Sequence, residues 1–398
     1  MSQNTENQFS ESDVDEWFED EEEDTEEEPP QIIDAATKYA KSQLRVVRET
    51  KEYQLDYLKY AMEAGKGLID TAPQYQRRLR WPQRKRSLLI ESFLLNIPIP
   101  PIFLFEHDYN EYEVIDGRQR LETIKSFLAN NFALTGLKYW PELNRKRFND
   151  LPNVLQKGLL RRSLSAVVLL AETKATGEDE LDVRTVLFDR LNTGGVGLNP
   201  QELRNALYPG ALNAALIEIA RSSPFTDIWG IPRYMPGEET QPSAELLVNT
   251  LFQSMADVEL VLRFFAIRDA LDTDRKGSLR RILDNFMKDN AKASRPVLEG
   301  YKNEYQELIT KLYGVWGSQL FRIPEIARPS RPLYDALMIA LSRNSDLVLE
   351  EDTEGIKQRL TNALARRADY DTLVGRGNTI ITIKQRVDLA VSILRGEG

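Results

Sequence analysis

The sequence predicts an α+β protein in which a small mixed sheet with flanking helices precedes an all-α C-terminal domain. Short apolar, strand-like runs alternate with helical patterns in the first half of the chain. Beyond Tyr208 the apolar spacing is helical with little strand signal. The length of 398 residues, 41% of them hydrophobic, suits two to three domains with a sizeable core. We expect an acidic tail at 1–30, an α+β domain at 31–210 and a helical domain at 211–398.

The charge of the chain is divided unevenly. Residues 1–30 hold 14 of the 62 acidic residues and none of the 52 basic ones, so the formal charge of −10 conceals a remainder that is net +4. Because the run 11–28 repels itself, we predict that the tail is disordered. Two interpretations of the tail stay open: a solubilising segment, interrupted by Trp17 and Phe18, or a mimic of nucleic acid that covers a basic surface.

Composition excludes several kinds of chemistry. The chain has no cysteine, which excludes disulfides, thiolate metal sites and cysteine nucleophiles. His107 is the only histidine, so nuclease sites built on paired histidines are excluded as well. The N-terminus has neither a basic start nor an apolar core of a signal peptide, and no stretch is apolar enough to span a membrane. We therefore expect a cytoplasmic protein without membrane contact.

The first half of the chain contains three predicted strands longer than two residues. Gly65 ends a short helix predicted at 57–64, and a brief strand at 68–69 follows it. Pro82 starts a helix that ends at Asn96, and the prolines after it force an extended entry into a strand at 102–105. Strands are also predicted at 112–115 and 164–170. A helix between these two strands presents Leu121, Ile124, Phe127 and Leu128 at helical spacing.

The second half of the chain shows helical apolar spacing throughout. The predicted helices cover 212–220, 244–270, 279–289, 304–313, 333–343, 355–365 and 380–394. We find no repeat period in this region.

The turn between the strand at 112–115 and the following helix is the first candidate site. Gly117 allows the backbone to approach a ligand closely, and the start of a helix offers unpaired N–H groups that suit a phosphate. Arg118 and Arg120 add forked donors that match phosphate oxygens. Asp116 could hold a divalent cation or orient water, and Gln119 could position a nucleophile.

The same turn has an interpretation without a ligand. Asp116 and Gln119 are spaced as a capping box, which satisfies the first N–H groups of a helix by itself. Two arginines in a first helical turn oppose the helix dipole, however, and a bound anion would relieve that cost. Both interpretations stay open at this point.

The segment 188–205 is the second candidate site, and its glycines at 194, 195 and 197 predict a loop. Its flexible backbone could wrap a ligand, and no Walker A pattern accompanies it. The alternative is a simple connection that leads into a helix start with Asn199 as cap, Pro200 at the first position and Glu202 as capping-box acid. The predicted nucleotide contacts in this loop are Asn192, Thr193, Gly194 and Gly195.

A basic and aromatic stretch just before the helix of Pro82 is the third candidate. Its mixture of arginines and rings suits phosphate contact together with base stacking, in a nucleotide site or in a DNA site. A solvated basic helix start is the alternative. The candidate residues are Tyr75, Gln76, Arg77, Arg78, Arg80 and Trp81.

Four segments in order, 73–81, 88–105, 114–124 and 188–203, resemble the domain that forms the N-terminal part of GmrSD-type restriction enzymes and of the phosphorothioation-sensing protein SspE. The resemblance implies a ParB/sulfiredoxin-like fold. It also implies a DGQQR motif linked to nucleotide binding and hydrolysis in prokaryotic anti-phage defence. Asp116, Gly117, Gln119 and Arg120 match that motif, whereas Arg118 stands where a glutamine is usual.

The resemblance implies a nucleoside triphosphate as ligand or substrate, with Mg²⁺ at Asp116, and with Asp116 and Gln119 as the catalytic pair. The replacement of a glutamine by Arg118 favours phosphate binding over hydrolysis, so NTPase activity stays open. An HNH-type nuclease is not expected, because the C-terminal half has no histidine. The alternatives are a non-catalytic DNA-binding module and an interaction adaptor with an autoinhibitory acidic tail. The oligomeric state is left open.

Overall fold

The computed structural model describes residues 9–19, 48–63, 68–70, 81–170, 198–208, 210–239, 242–324, 326, 328–344, 346–375 and 377–396, without the side chains of Asp70 and His107. The chain divides into two compact units. The sheet unit is Gln31–Gly197, and the helical unit combines Met1–Pro30 with Leu198–Gly398. The division falls before the boundary predicted at residue 210, because the helix Pro200–Leu207 belongs to the helical unit.

The sheet unit contains a five-stranded mixed sheet, which confirms the predicted fold class. The strands are β1 (Arg48–Gln54), β2 (Ile69–Asp70), β3 (Ile102–Asp108), β4 (Glu111–Asp116) and β5 (Ser163–Leu169). In sheet order they run β1, β5, β3, β4 and β2. β3 pairs antiparallel with β4 and parallel with β5, while β1 pairs antiparallel with β5 and β2 pairs parallel with β4.

Sequence pattern found the three apolar strands in the middle of the sheet and the short edge strand β2. Ile102 and Leu104 of β3 and Ala166 of β5 are fully buried, because their side chains point to the packed face of the pleat. The prediction missed β1, whose sequence RETKEYQ has no apolar alternation. As an edge strand, β1 is held by its backbone pairing with β5.

The helices of the sheet unit bury one face each. All four apolar positions predicted for the helix Arg118–Leu128, here called the motif helix, are buried. Glu91 holds the loop after this helix, since its carboxylate accepts hydrogen bonds from the backbone N–H groups of residues 138–140. The helices are Leu55–Ala61, Gln83–Leu94, Arg118–Leu128 and Asn153–Leu160, with short 3-10 turns at Pro141–Leu143 and Phe148–Asp150.

The helical unit surrounds the helix Ala256–Asp272, whose side chains are buried nearly all round, and contains no strand among its described residues. Every described helix of the chain is too short or too polar to cross a lipid bilayer. The α-helices of this unit after residue 198 are Pro200–Leu207, Ala211–Ala220, Phe225–Trp229, Ala244–Leu247, Thr250–Gln253, Ala256–Asp272, Leu279–Asp289, Arg295–Trp316, Arg331–Ser342, Thr353–Ala365, Arg367–Val374 and Ile380–Arg395, with 3-10 turns at Gly317–Gln319 and Leu349–Asp352.

The prediction of one continuous helix at 244–270 in this unit was wrong. The stretch 244–270 is divided into three helices, not one. The side chain of Asn249 caps a new helix by accepting the N–H of Phe252 at 3.1 Å, and Met255 adopts the left-handed backbone with φ of 59°. A left-handed residue interrupts a right-handed helix, so the chain changes direction there.

The acidic segment differs most from its prediction, because residues Glu11–Glu19 form a helix where disorder was expected. Ser10 and Asp13 exchange capping hydrogen bonds at the helix start, at 2.8 Å and 3.2 Å. Val14 and Phe18 lie one turn apart and are both buried against the helical unit. The apolar face thus outweighs the repulsion among the carboxylates of this helix, which we call the acidic helix.

Candidate functional site

The candidate site lies where β4 ends and the motif helix begins. Gly117 links the two elements with φ of 92°. A Cβ atom at this position would overlap Cγ2 of Ile102 in β3 and would approach Nη2 of Arg120 within 2.9 Å. Only glycine combines the left-handed backbone with so close an approach. The turn therefore presents the first N–H groups of the motif helix at the end of β4.

Asp116 does not form the capping box that the spacing with Gln119 allowed. The residue that caps the motif helix is Gly117, and no side chain caps its start. Instead, Oδ2 of Asp116 accepts a hydrogen bond from Nη2 of Arg120 at 2.8 Å. The same nitrogen also donates to the carbonyl of Pro101 at 3.2 Å. Arg120 therefore ties the motif helix to the end of β4 and to the chain before β3.

Arg118 is paired along the motif helix in the same way. Its Nε lies 3.0 Å from Oε1 of Glu122, one turn later, and both side chains are less than one-fifth exposed. Arg86 in the helix Gln83–Leu94 approaches this pair, with Nη2 donating to Oγ of Ser126 at 2.8 Å. Burial lowers the pKa of the Arg86 guanidinium, and the charge of Glu122 opposes that shift. The arginines at the site thus lie among polar partners from the chain itself.

Gln119 is the exception within the motif. Its residue surface is only 8% exposed, and neither Oε1 nor Nε2 has a hydrogen-bond partner among the described residues. Its backbone carbonyl accepts from Oγ1 of Thr123 at 2.7 Å, so the residue is held firmly in the helix. Burying an amide without a partner is costly, and such groups need an explanation.

The motif helix brings Gln119 to the same side as Arg86. Glu122 and Ser126 follow Gln119 by three and seven positions, which places all three on one helix face. Ser126 is also the hydrogen-bond acceptor of Arg86. Nε of Arg86 and Nε of Arg120 are likewise buried without an acceptor in the described part of the chain. Several buried donors without acceptors suit an anionic or strongly accepting ligand.

The described residues contain no group of three His, Cys, Asp or Glu side chains that could hold a metal ion. Asp116 is the carboxylate that the turn itself provides. Mg²⁺ needs only one or two protein carboxylates when substrate phosphates and waters complete its shell. The residues at the turn thus fit a cation that arrives with a phosphate ligand, and a cage made of protein alone is not found there.

The part of the chain that contains this turn matches a known protein family. Residues 58–209 match the family described as GmrSD restriction endonuclease, N-terminal domain. The chain contains a GmrSD-type N-terminal domain. Its presence suggests a restriction- or defence-related protein. Comparisons with curated proteins and with solved structures gave no match. Most of the helical unit lies beyond the matched residues of the GmrSD-type domain.

Much of the remaining predicted site lies outside the described residues of the GmrSD-type domain. Trp81 is described and half-buried, with Nζ of Lys85 lying 4.5 Å from the centre of its ring. The nucleotide or DNA contact predicted for Trp81 stays a prediction. The predicted residues outside the description are Tyr75, Gln76, Arg77, Arg78, Arg80, Asn192, Thr193, Gly194 and Gly195.

The helix start after the glycine-rich loop of the GmrSD-type domain is confirmed. Oδ1 of Asn199 accepts the N–H of Glu202 at 2.9 Å, and Oε2 of Glu202 accepts the N–H of Asn199 at 3.0 Å. Pro200 occupies the first helical position. This local structure ends the loop where the sequence predicted it.

Sequence reasoning missed three contributors to the site. Glu122 and Ser126 carry no motif signal of their own, but both follow Gln119 at helical spacing and could have been found on that ground. The contact of Ile102 with Gly117 could not, because it depends on how β3 packs beside the turn.

Proposed function

We propose that the chain is a nucleotide-binding protein of prokaryotic anti-phage defence or DNA transactions, with the nucleotide phosphates held at the turn Asp116–Arg120. The observation that supports this most is the buried Gln119 amide, which has no partner among the described residues, beside a glycine turn that opens a helix. A nucleotide offers both phosphates for the helix start and acceptors or donors for the amide.

The proposal assigns different tasks to the residues of the motif. Arg120 shapes the turn through its bonds to Asp116 and Pro101. Arg118 is paired with Glu122, so phosphate must compete for its guanidinium. The backbone N–H groups of the helix start, together with Gln119 and Arg86, therefore provide the first contacts to the ligand. Mg²⁺ would be held by Asp116 and by the phosphates, whose charge it would neutralise.

Titration of the full chain with labelled ATP, GTP and CTP, with and without Mg²⁺, tests the binding. We expect Gln119→Leu to weaken binding by about tenfold or more, because one hydrogen bond to a charged group contributes about 1.5–3 kcal/mol. Gln156→Leu is the matched control, since the Gln156 amide donates to the carbonyl of Leu151 in the same unit. A folded chain that binds none of these nucleotides at millimolar concentration contradicts the proposal.

The role of Asp116 is tested separately with the variant Asp116→Asn. Nucleotide affinity with and without Mg²⁺, and phosphate release with and without DNA, are measured for the wild type and the variant. The amide of Asn can still accept from Arg120, but it lacks the charge that attracts a divalent cation. We expect the variant to bind nucleotide without Mg²⁺ as wild type does and to lose the gain in affinity that Mg²⁺ brings. Salt-dependent DNA affinity in the absence of nucleotide binding would favour the alternative of a non-catalytic DNA-binding module.

A further inference from the structure

The acidic helix occupies a groove of the helical unit with its apolar side. Val14 and Phe18 are buried there, as is Phe9 just before the helix, while most of the acidic side chains of the helix stay exposed. Trp17 is half-buried at the edge of the contact. The helix lies against the helix Thr250–Gln253 of this unit. A short segment is thus held by a few apolar anchors.

The floor of the groove is aromatic. The ring of Trp229, itself only 1% exposed, lies 6.1 Å from the ring centre of Phe9 and 6.1 Å from that of Trp17. Phe9 and Trp17 also pack edge to face with centres 4.9 Å apart. Edge-to-face pairs add attraction beyond the burial of area, so the groove favours aromatic anchors.

Two arginines of the groove contact the segment, and one of them pairs with its charge. Arg328 pairs with Asp13, 315 positions away in sequence, and its guanidinium lies 5.4 Å from the centre of the Phe9 ring. Arg331 donates to the backbone carbonyl of Trp17 at 2.7 Å and lies 5.2 Å from the centre of its ring. A guanidinium that faces both a carboxylate and a ring, as that of Arg328 does, favours acidic, aromatic peptides, and Arg331 adds a contact to the backbone and to a second ring.

We propose that this groove is a docking site for an acidic, aromatic-containing helical peptide of a partner protein, and that residues 9–19 are its displaceable internal occupant. This inference concerns the helical unit and does not depend on the nucleotide site.

The contacts of the acidic helix are few enough for a partner peptide to displace it from the groove. A nine-residue helix is marginal in water by itself, so the acidic helix owes its order to the groove. Its contact uses few buried side chains, and such elements open more readily than a domain core does. A partner with the same chemistry would find the aromatic floor and both arginines already in position.

The test uses a fluorescent peptide of residues 9–19 and the full chain. Val14→Asp/Phe18→Asp should empty the groove, because two buried carboxylates would have to leave water. We expect saturable binding of the peptide to this variant and about tenfold or more weaker binding to wild type, because a tethered occupant competes at high effective concentration. No binding to the folded variant, or equal binding to both chains, overturns the proposal.

Exchange of the charges of Arg328 and Asp13 tests whether this ion pair contributes to peptide binding. Arg328→Glu in the emptied variant should weaken binding of the natural peptide, and a peptide with Asp13→Arg should restore it. Failure of this restoration overturns the assigned contact.

The intact chain offers a second measurement should the emptied variant not fold. Because the chain has no cysteine, Ser12→Cys places a single dye on the exposed side of the acidic helix. Unlabelled peptide should lower the anisotropy of the dye as the segment leaves the groove, and an unchanged signal at millimolar peptide overturns the proposal. A doubled mass of the chain that disappears when peptide is added would assign the groove to a second copy instead.

Discussion

The two units use buried arginine–carboxylate pairs in different ways. In the helical unit, Arg263 and Asp335 are 72 positions apart and almost fully buried. Arg263 donates two hydrogen bonds to Asp335, and the one from Nε is 3.2 Å long. In the sheet unit, the pairs of Arg118 and Arg120 are local, one helical turn apart, and remain partly accessible. The first arrangement connects elements that are distant in sequence, whereas the second shapes a single turn.

The polar groups that surround these pairs differ as well. Arg386 of the helical unit, close to Asp335, donates to the backbone carbonyls of residues 372, 375 and 377. In the sheet unit the buried amide of Gln119 has no partner among the described residues. Nη1 of Arg386 also lacks a partner among the described residues, but its Nε and Nη2 are bonded, whereas both polar atoms of the Gln119 amide are unused. A buried side chain that is mostly bonded within the fold serves stability, and one whose whole polar group is unused is suited to a ligand.

The largest expected effect is a loss of stability at the buried pair of the helical unit. Asp335→Ala removes the buried carboxylate that accepts two hydrogen bonds from Arg263, so we expect the free energy of unfolding to fall by about 3–5 kcal/mol in denaturant titration. Glu354→Ala, which removes an exposed pair with Lys357, should change it by less than about 1 kcal/mol. Replacement of both partners, as Arg263→Met with Asp335→Leu, should recover most of the loss. Equal effects of the two alanine variants would show that the buried pair does not connect the helices.

The next effect concerns the turn. Gly117→Ala should lower the free energy of unfolding by about 1–3 kcal/mol, because alanine meets both a left-handed backbone and the side chain of Ile102. Gly158→Ala is the matched control in a helix with nothing within 4 Å of the added Cβ, and it should be neutral or stabilising. A neutral result at Gly117 would mean that the turn is not held in this conformation.

A substitution at Gln119 sharpens the comparison, because it should weaken nucleotide binding without lowering stability. Gln119→Leu removes a buried amide that has no partner in the described part of the chain, so stability in the absence of ligand should stay the same or rise. Gln156→Leu should cost about 1 kcal/mol, because its amide has a bonded partner. Added nucleotide should raise the melting temperature of Gln119→Leu by less than that of Gln156→Leu. A comparable loss of stability in both variants would reveal a structural partner for Gln119.

The smallest effect is the pH dependence of the docked acidic helix. Burial raises the pKa of Asp13, but hydrogen bonds from Ser10 and Arg328 outweigh it and hold the pKa below the ordinary 3.8. A lowered pKa stabilises the docked form above the ordinary value, and this contribution is lost as the pH falls through the pKa of the docked state. The anisotropy of a dye at Ser12→Cys should therefore drop below about pH 4. Arg328→Gln should flatten this dependence, and an unchanged profile would argue against the ion pair.

Sequence pattern was a good guide where a residue's task is local. The apolar positions of the motif helix, the cap at Asn199 and the glycine at position 117 follow from spacing and backbone rules that involve only neighbours. The same kind of rule was misleading at Asp116. Its spacing with Gln119 fits a capping box, but an arginine one turn later takes the carboxylate instead.

Pattern was weakest where a segment depends on a distant surface. β1 has no apolar alternation, and only the pairing with β5 makes it a strand. The acidic helix has a composition typical of disorder, and only the groove with Trp229 and Arg328 orders it. Neither partner lies near these segments in sequence, so no local rule could supply it.

The sequence by itself determined the α+β class, the helical C-terminal half and the glycine turn at position 117, because periodicity, capping and glycine preferences act between residues a few positions apart. It also carried the resemblance to the GmrSD-type domain, which the family match over residues 58–209 confirms. Only the tertiary structure decided that Asp116 pairs with Arg120, that Gln119 is buried without a described partner and that an acidic segment fills an aromatic groove. These facts depend on packing between residues far apart in the chain, where burial and charge balance outweigh local preference.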